Sequence, residues 1–148
     1  MKSASKVAPS PVSSAADVAP ALVRQGWVSL AVWIAFGILV EGLIGFRTPA
    51  LLDDPIRHDM FRLAHAHGTL LNLALIAAGI CARLELLRLA TTAALALRGA
   101  VVLLPVGFLI GGIWHFKSDP GLGVLLVPVG AVLLLASALQ LAWASARR

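Results

Sequence analysis

The sequence is short of charge. Asp, Glu, Lys and Arg make up 13% of its 148 residues, about half the share usual in a soluble domain. It has one cysteine, Cys81, which excludes an intrachain disulfide and a thiolate metal cluster. A lone thiol near the end of an apolar stretch reads as a small packing residue. There is no C-x-x-C-H haem-attachment run, no phosphate-binding loop and no nucleophile motif, so no substrate is named by a motif. Sustained alternation of polar and apolar residues is also missing, and with it the signature of a membrane barrel. The net charge of +5 is scattered over loop ends, with no basic stripe interleaved with aromatics, so nucleic acid is not expected as a partner.

What is abundant is apolar: 59% of the residues are hydrophobic. Four stretches, 27–46, 60–82, 99–116 and 122–143, approach or exceed the ~20 residues a helix needs to cross ~30 Å of hydrocarbon. In lipid every backbone group must be paired within the protein. The expected fold is therefore all-α, an integral membrane four-helix bundle with antiparallel up-down topology, and the expected partner is the lipid bilayer. Residues 1–22, rich in Ala, Ser, Val and Pro, read as a disordered cytoplasmic tail, and 23–148 as the four-span domain. The early lysines are not followed by a short cleavable apolar core, so a secretory signal is not expected. With the N-terminus on one side, Lys2, Lys6, Arg24, Arg83, Arg88, Arg98, Arg147 and Arg148 share that side, against Arg47, Arg57, Arg62 and Lys117 on the other. The bias places both termini in the cytoplasm.

Polar residues at membrane depth are costly and mark function. The second stretch carries His65 and His67 in its first half. At about 100° per residue, His58, Arg62, His65, Thr69 and Asn72 fall on one stripe, while His67 points roughly 200° away from His65. The two imidazoles therefore serve different neighbours or only one of them matters. Glu41 sits between Gly37 and Gly45 in the first stretch, where small residues permit close helix approach, so it is expected to face the bundle. In the loop that follows, Asp54 or Asp59 is placed to cap the second helix. Gly107 and Gly111 form a small-residue face in the third stretch. Asp119-Pro120-Gly121 is a short turn that makes the third and fourth stretches neighbours.

Alternating topology puts Glu41, His65, His67 and His115 in the outer half of the membrane, toward the external face. Without thiolates, such a set suits copper, zinc or non-haem iron. The alternative cofactor is haem b between imidazoles of two helices, with His65 or His67 paired with His115. His58, Arg62, Thr69 and Asn72 would support these ligands, Thr69 and Asn72 by orienting the His65 ring or holding water. Two other readings stay open. One is a structural or assembly subunit, in a homo-oligomer or a larger membrane complex. The other is proton or ion translocation through groups that titrate near neutrality.

The run Leu63-Ala64-His65-Ala66-His67-Gly68 resembles the His-x-His helix of haem-copper oxidase core subunits. In that family the two histidines point to opposite sides of one helix, toward two haems. The resemblance implies that His65 and His67 are each an axial ligand, with a redox role. Those subunits have many more spans and further histidines for copper, so oxygen reduction is not implied. The chain is also similar to small bacterial four-span proteins that carry His-Ala-His-Gly, a likeness that implies a bacterial inner membrane and no particular activity.

Overall fold

A computed structural model describes residues 15–116 and 119–147, and every regular element among them is helical. In chain order these are α1 (Ala15–Gly45), a single short turn α2 (Pro49–Leu52), α3 (Pro55–Arg83), α4 (Thr91–Ile113), a 3-10 turn (Leu122–Leu125) and α5 (Leu126–Ala146). Four of these stretches, Val18–Gly45, Pro55–Arg83, Thr91–Ile113 and Leu122–Ala146, are long and apolar enough to cross a membrane. α1, α3 and α4 start before the apolar runs read from sequence, while α1 and α4 end short of them, at Gly45 and Ile113.

α1 begins inside the segment 1–22 that composition marks as a tail, and it runs through Pro20. The lost hydrogen bond at proline is offset by docking, since Ala19 and Leu22 are fully buried beside Gly79 of α3. Residues 1–14 of that tail lie outside the described residues. α4 begins at Thr91, within the charged connection, because Ala93, Ala94 and Leu97 join the core.

Polar residues set the helix ends. Asp54 caps α3 by accepting the Arg57 N–H at 3.0 Å, with Pro55 at the first helical position, where its missing donor costs nothing. α1 closes with two bonds, from Thr48 N–H to Leu43 O at 3.0 Å and from Arg47 N–H to Ile44 O at 2.9 Å. This pairing requires a left-handed residue, and Arg47 supplies it at φ 52° where glycine is usual. A side chain in that region costs about 1–2 kcal/mol. Arg47→Gly is accordingly expected to stabilise the fold by about 1 kcal/mol, read as a higher midpoint in thermal or denaturant unfolding.

The long helices pack in sequence. α1 lies on α3, α3 on α4, and α4 on α5, while α1 touches α4 lightly and α5 meets neither α1 nor α3. The bundle is therefore open. Leu22, Leu71, Leu75, Leu97, Val101 and Leu104 form its core. Along the α1–α3 seam Gly79 faces Val23, Gly26 faces Ile76, Gly68 faces the Trp33 ring and Gly37 faces the His65 ring. On the α4–α5 seam Gly107 meets Leu126 and Val127, Gly130 meets Leu104, and the buried Ser137 hydroxyl donates to Ala93 O at 3.0 Å. Small residues bring backbones close enough for dispersion contacts, which is what holds apolar helices together when no water drives them.

Candidate functional site

His65 owes its position to a residue with no side chain. Gly37 of α1 leaves the neighbouring backbone open, and the imidazole of His65 fills the space that a Cβ there would take. The ring's Nδ1–H donates to the carbonyl of Trp33 at 2.9 Å. Trp33 is held in turn: its ring covers Gly68, and it makes an edge-to-face pair with Phe36 (5.6 Å), which pairs with Phe61 of α3 (5.4 Å). Thr69 and Asn72, deeper on the His65 stripe, hydrogen-bond to their own helix and not to the ring. Thr69 donates back to its own helix, at His65 O (2.9 Å) and Ala66 O (3.1 Å). Asn72 is fully buried and donates to Gly68 O at 2.6 Å, leaving its Oδ1 without a partner. Orientation of His65 by a main-chain carbonyl of another helix is what side-chain reasoning misses, and Gly37 is the one residue in the sequence that signals it.

Beside this contact lies a groove of about 580 Å³ between α1 and α3, lined by Gly37, Val40 and Glu41 on one side and by Asp59, Arg62, Leu63, His65 and Ala66 on the other. Glu41 lines the same groove as His65, and Arg62 from the same stripe lines it too. Asp59 is an addition, and His58 stands behind it with Nδ1 3.5 Å from the Asp59 carboxylate. The mouth is polar and exposed, and the walls are apolar.

His67 faces elsewhere, as the two-residue spacing predicts. Its Nδ1–H donates to Leu63 O at 2.8 Å, and its ring stacks at a tilt against Phe108 of α4, 4.9 Å between centroids. His115 is in a third place. Its Nε2–H donates to Asp54 Oδ2 at 2.7 Å, its side chain is 9% exposed, and its Nδ1 is buried without a partner. Arg57 completes this cluster, 3.4 Å from the same carboxylate oxygen, and donates to Ala50 O and Gly112 O at the ends of α2 and α4. The Arg57 backbone N–H holds the Asp54 carboxyl below its ordinary value; desolvation opposes this, and the hydrogen bond and charge of His115 and the charge of Arg57 add smaller lowering effects.

Among the described residues no three His, Cys, Asp and Glu side chains are grouped to hold a metal ion. Glu41, His65, His67 and His115 therefore do not make one metal centre. His65 faces Gly37 of α1, His67 faces Phe108 of α4, and His115 faces Asp54 at the start of α3. The chemistry left to His65 and His67 follows from their acceptors. A carbonyl only accepts, so each Nδ1 carries the hydrogen and each neutral ring keeps the Nε2 electron pair for a ligand or a proton. The chain matches no protein-family model, no curated protein and no solved structure.

Proposed function

We propose that this chain is an antiparallel four-span protein of a bacterial inner membrane, with both termini cytoplasmic, that binds haem b in the α1–α3 groove with His65 as an axial ligand. The observation that carries the reading is the bond from His65 Nδ1 to the Trp33 carbonyl, which fixes the ring and leaves Nε2 as the donor atom in a groove-lining residue. The groove's volume is in the range of cofactor pockets. Val40, Leu63 and Ala66 offer an apolar wall for a macrocycle, and Arg62 a cation for its carboxylates. The donor set favours haem over copper, zinc or non-haem iron. Haem brings four nitrogens of its own and needs one or two imidazoles, whereas a bare ion needs three or four protein ligands. His67, with the same free Nε2 on the far side of α3, is the candidate for a second haem, as the likeness to the His-x-His helix implies. Bound haem would supply one-electron transfer. The Arg24, Arg83 and Arg98 side of the bundle is cytoplasmic and the groove opens toward the external face, supported by the excess of basic residues on that side.

The test is an absorption spectrum with metal analysis of the detergent-purified protein, titrated with haem. A Soret band is expected, weakened in His65→Ala, lost when His67 is replaced as well, and retained in His115→Ala. A colourless, metal-free preparation that keeps its helicity and does not take up added haem would overturn the reading. The open packing favours one alternative, an assembly subunit whose α5, with α4 as its sole long neighbour, docks on another protein; a fixed partner in mild-detergent purification would support it. Proton or ion translocation rests on the titratable groups Glu41, Asp59 and His65 sharing one groove; liposome flux lost in Glu41→Gln would favour it.

A further inference from the structure

A second groove lies between α1 and α4, which touch only lightly because both pack on α3. It measures about 340 Å³ and is lined by Gln25, Val28, Ser29, Val32 and Trp33 of α1 and by Val101, Val102 and Val106 of α4. The α1 set recurs at three- and four-residue steps, and on α4 Val106 follows Val102 by four with Val101 beside it, so each is one face of its helix. On α4 that face begins one turn earlier at Arg98, whose Nε–H donates to the Gln25 side-chain oxygen. One end of the groove is therefore marked by an anchored guanidinium, with the exposed Arg24 next to Gln25 in the chain. The rest is valine, one indole and the small side chain of Ser29.

We infer that this groove binds an anionic phospholipid, with an acyl chain along the valines and the phosphate on Arg98. The inference rests on the bilayer reading above but not on haem. At membrane depth a groove walled by valine holds hydrocarbon, since water would find few partners there. Its lining from Gln25 to Trp33 rises about 12 Å along α1. A neighbouring helix of that length, about 10 Å across, occupies roughly 900 Å³, so a thread of hydrocarbon suits the space better than a second copy of the chain. Hydrocarbon alone gives no reason for a pinned arginine at one end. A phosphate does, because guanidinium and phosphate pair through short charge-assisted bonds.

Native mass spectrometry of the full chain in detergent, with phosphatidylglycerol or phosphatidylcholine of matched chains added, decides it. The wild-type protein is expected to retain one phosphatidylglycerol in preference to phosphatidylcholine. Arg98→Gln should weaken phosphatidylglycerol retention about fivefold, the weight of one basic residue toward an anionic lipid, and leave phosphatidylcholine unchanged. Val102→Trp, at a half-exposed position, fills the groove and should lower retention of both; it decides the matter if Arg98→Gln does not fold. Equal retention of the two lipids by the wild-type protein, unchanged phosphatidylglycerol retention in a folded Arg98→Gln, or a lipid-free dimer that Val102→Trp dissociates would each overturn the inference. Haem content enters none of these readouts, so failure of the haem reading leaves them interpretable.

Discussion

Gly37→Ala is expected to lower haem affinity about 10- to 100-fold while costing the fold no more than about 1–2 kcal/mol. A methyl at position 37 would occupy the place of the His65 ring, and all three of its nearest atoms belong to that imidazole. The ring is the far end of a side chain, so it can swing away without moving either backbone. What is lost is its bond to the Trp33 carbonyl, worth about 1 kcal/mol, together with some packing. Against this stands about 1 kcal/mol of helix propensity gained when alanine replaces glycine. These terms nearly cancel in stability, whereas the ligand loses a fixed Nε2. Gly42 is the internal control, since nothing lies within 4 Å of a Cβ built there. Gly42→Ala should gain the propensity term and bind haem as the wild-type protein does. Haem titration followed at the Soret band, with denaturant unfolding of each variant, measures both quantities.

The spans were legible because hydrocarbon thickness imposes a minimum length on any apolar run, and four such runs are plain in the chain. The divergence of His65 and His67 was equally legible, being period arithmetic on a single helix. Asp54 was one of two caps that the sequence offered for α3, and the helix begins at Pro55, directly after it, and not at Asp59. Gathering Glu41, His65, His67 and His115 into one site failed for a physical reason: topology fixes the depth of a residue but not the direction in which it leaves its helix axis. Glu41 and His65 line one groove because Gly37 brings α1 onto that face of α3, while His67 leaves toward Phe108 and His115 is captured at the helix ends. The Trp33 carbonyl was invisible to any inventory of side chains. The start of α1 was misread because Pro20 breaks an isolated helix, yet here the buried Ala19 and Leu22 hold the segment against α3. The face formed by Gly107 and Gly111 did announce a close neighbour, which is the start of α5 and the turn before it.

Asp54→Ala is expected to be the most destabilising of the single substitutions considered, by roughly 2–4 kcal/mol. Its Oδ1 accepts the Arg57 N–H, and losing such a cap costs about 1 kcal/mol. Its Oδ2 accepts from His115 at 2.7 Å. Removing that acceptor strands a buried N–H on a side chain only 9% exposed, which costs a further ~1–3 kcal/mol. Arg57 would also lose the carboxylate that sets its reach to Ala50 and Gly112. Asp54→Asn separates the two contributions. Its single oxygen can still cap α3, but its amide then faces the His115 donor, so about half of the loss is expected. The pH dependence follows in sign from the same contacts. The folded Asp54 carboxyl titrates below its ordinary value of 3.8. Its contribution is therefore complete above that ordinary value and disappears as pH falls through the lower, folded one. The gap between wild-type and Asp54→Asn unfolding midpoints should narrow from about pH 4 downward and close in stronger acid. A gap that does not change with pH would mean that the carboxylate's charge contributes nothing and that the hydrogen bonds alone tie the start of α3 to the end of α4.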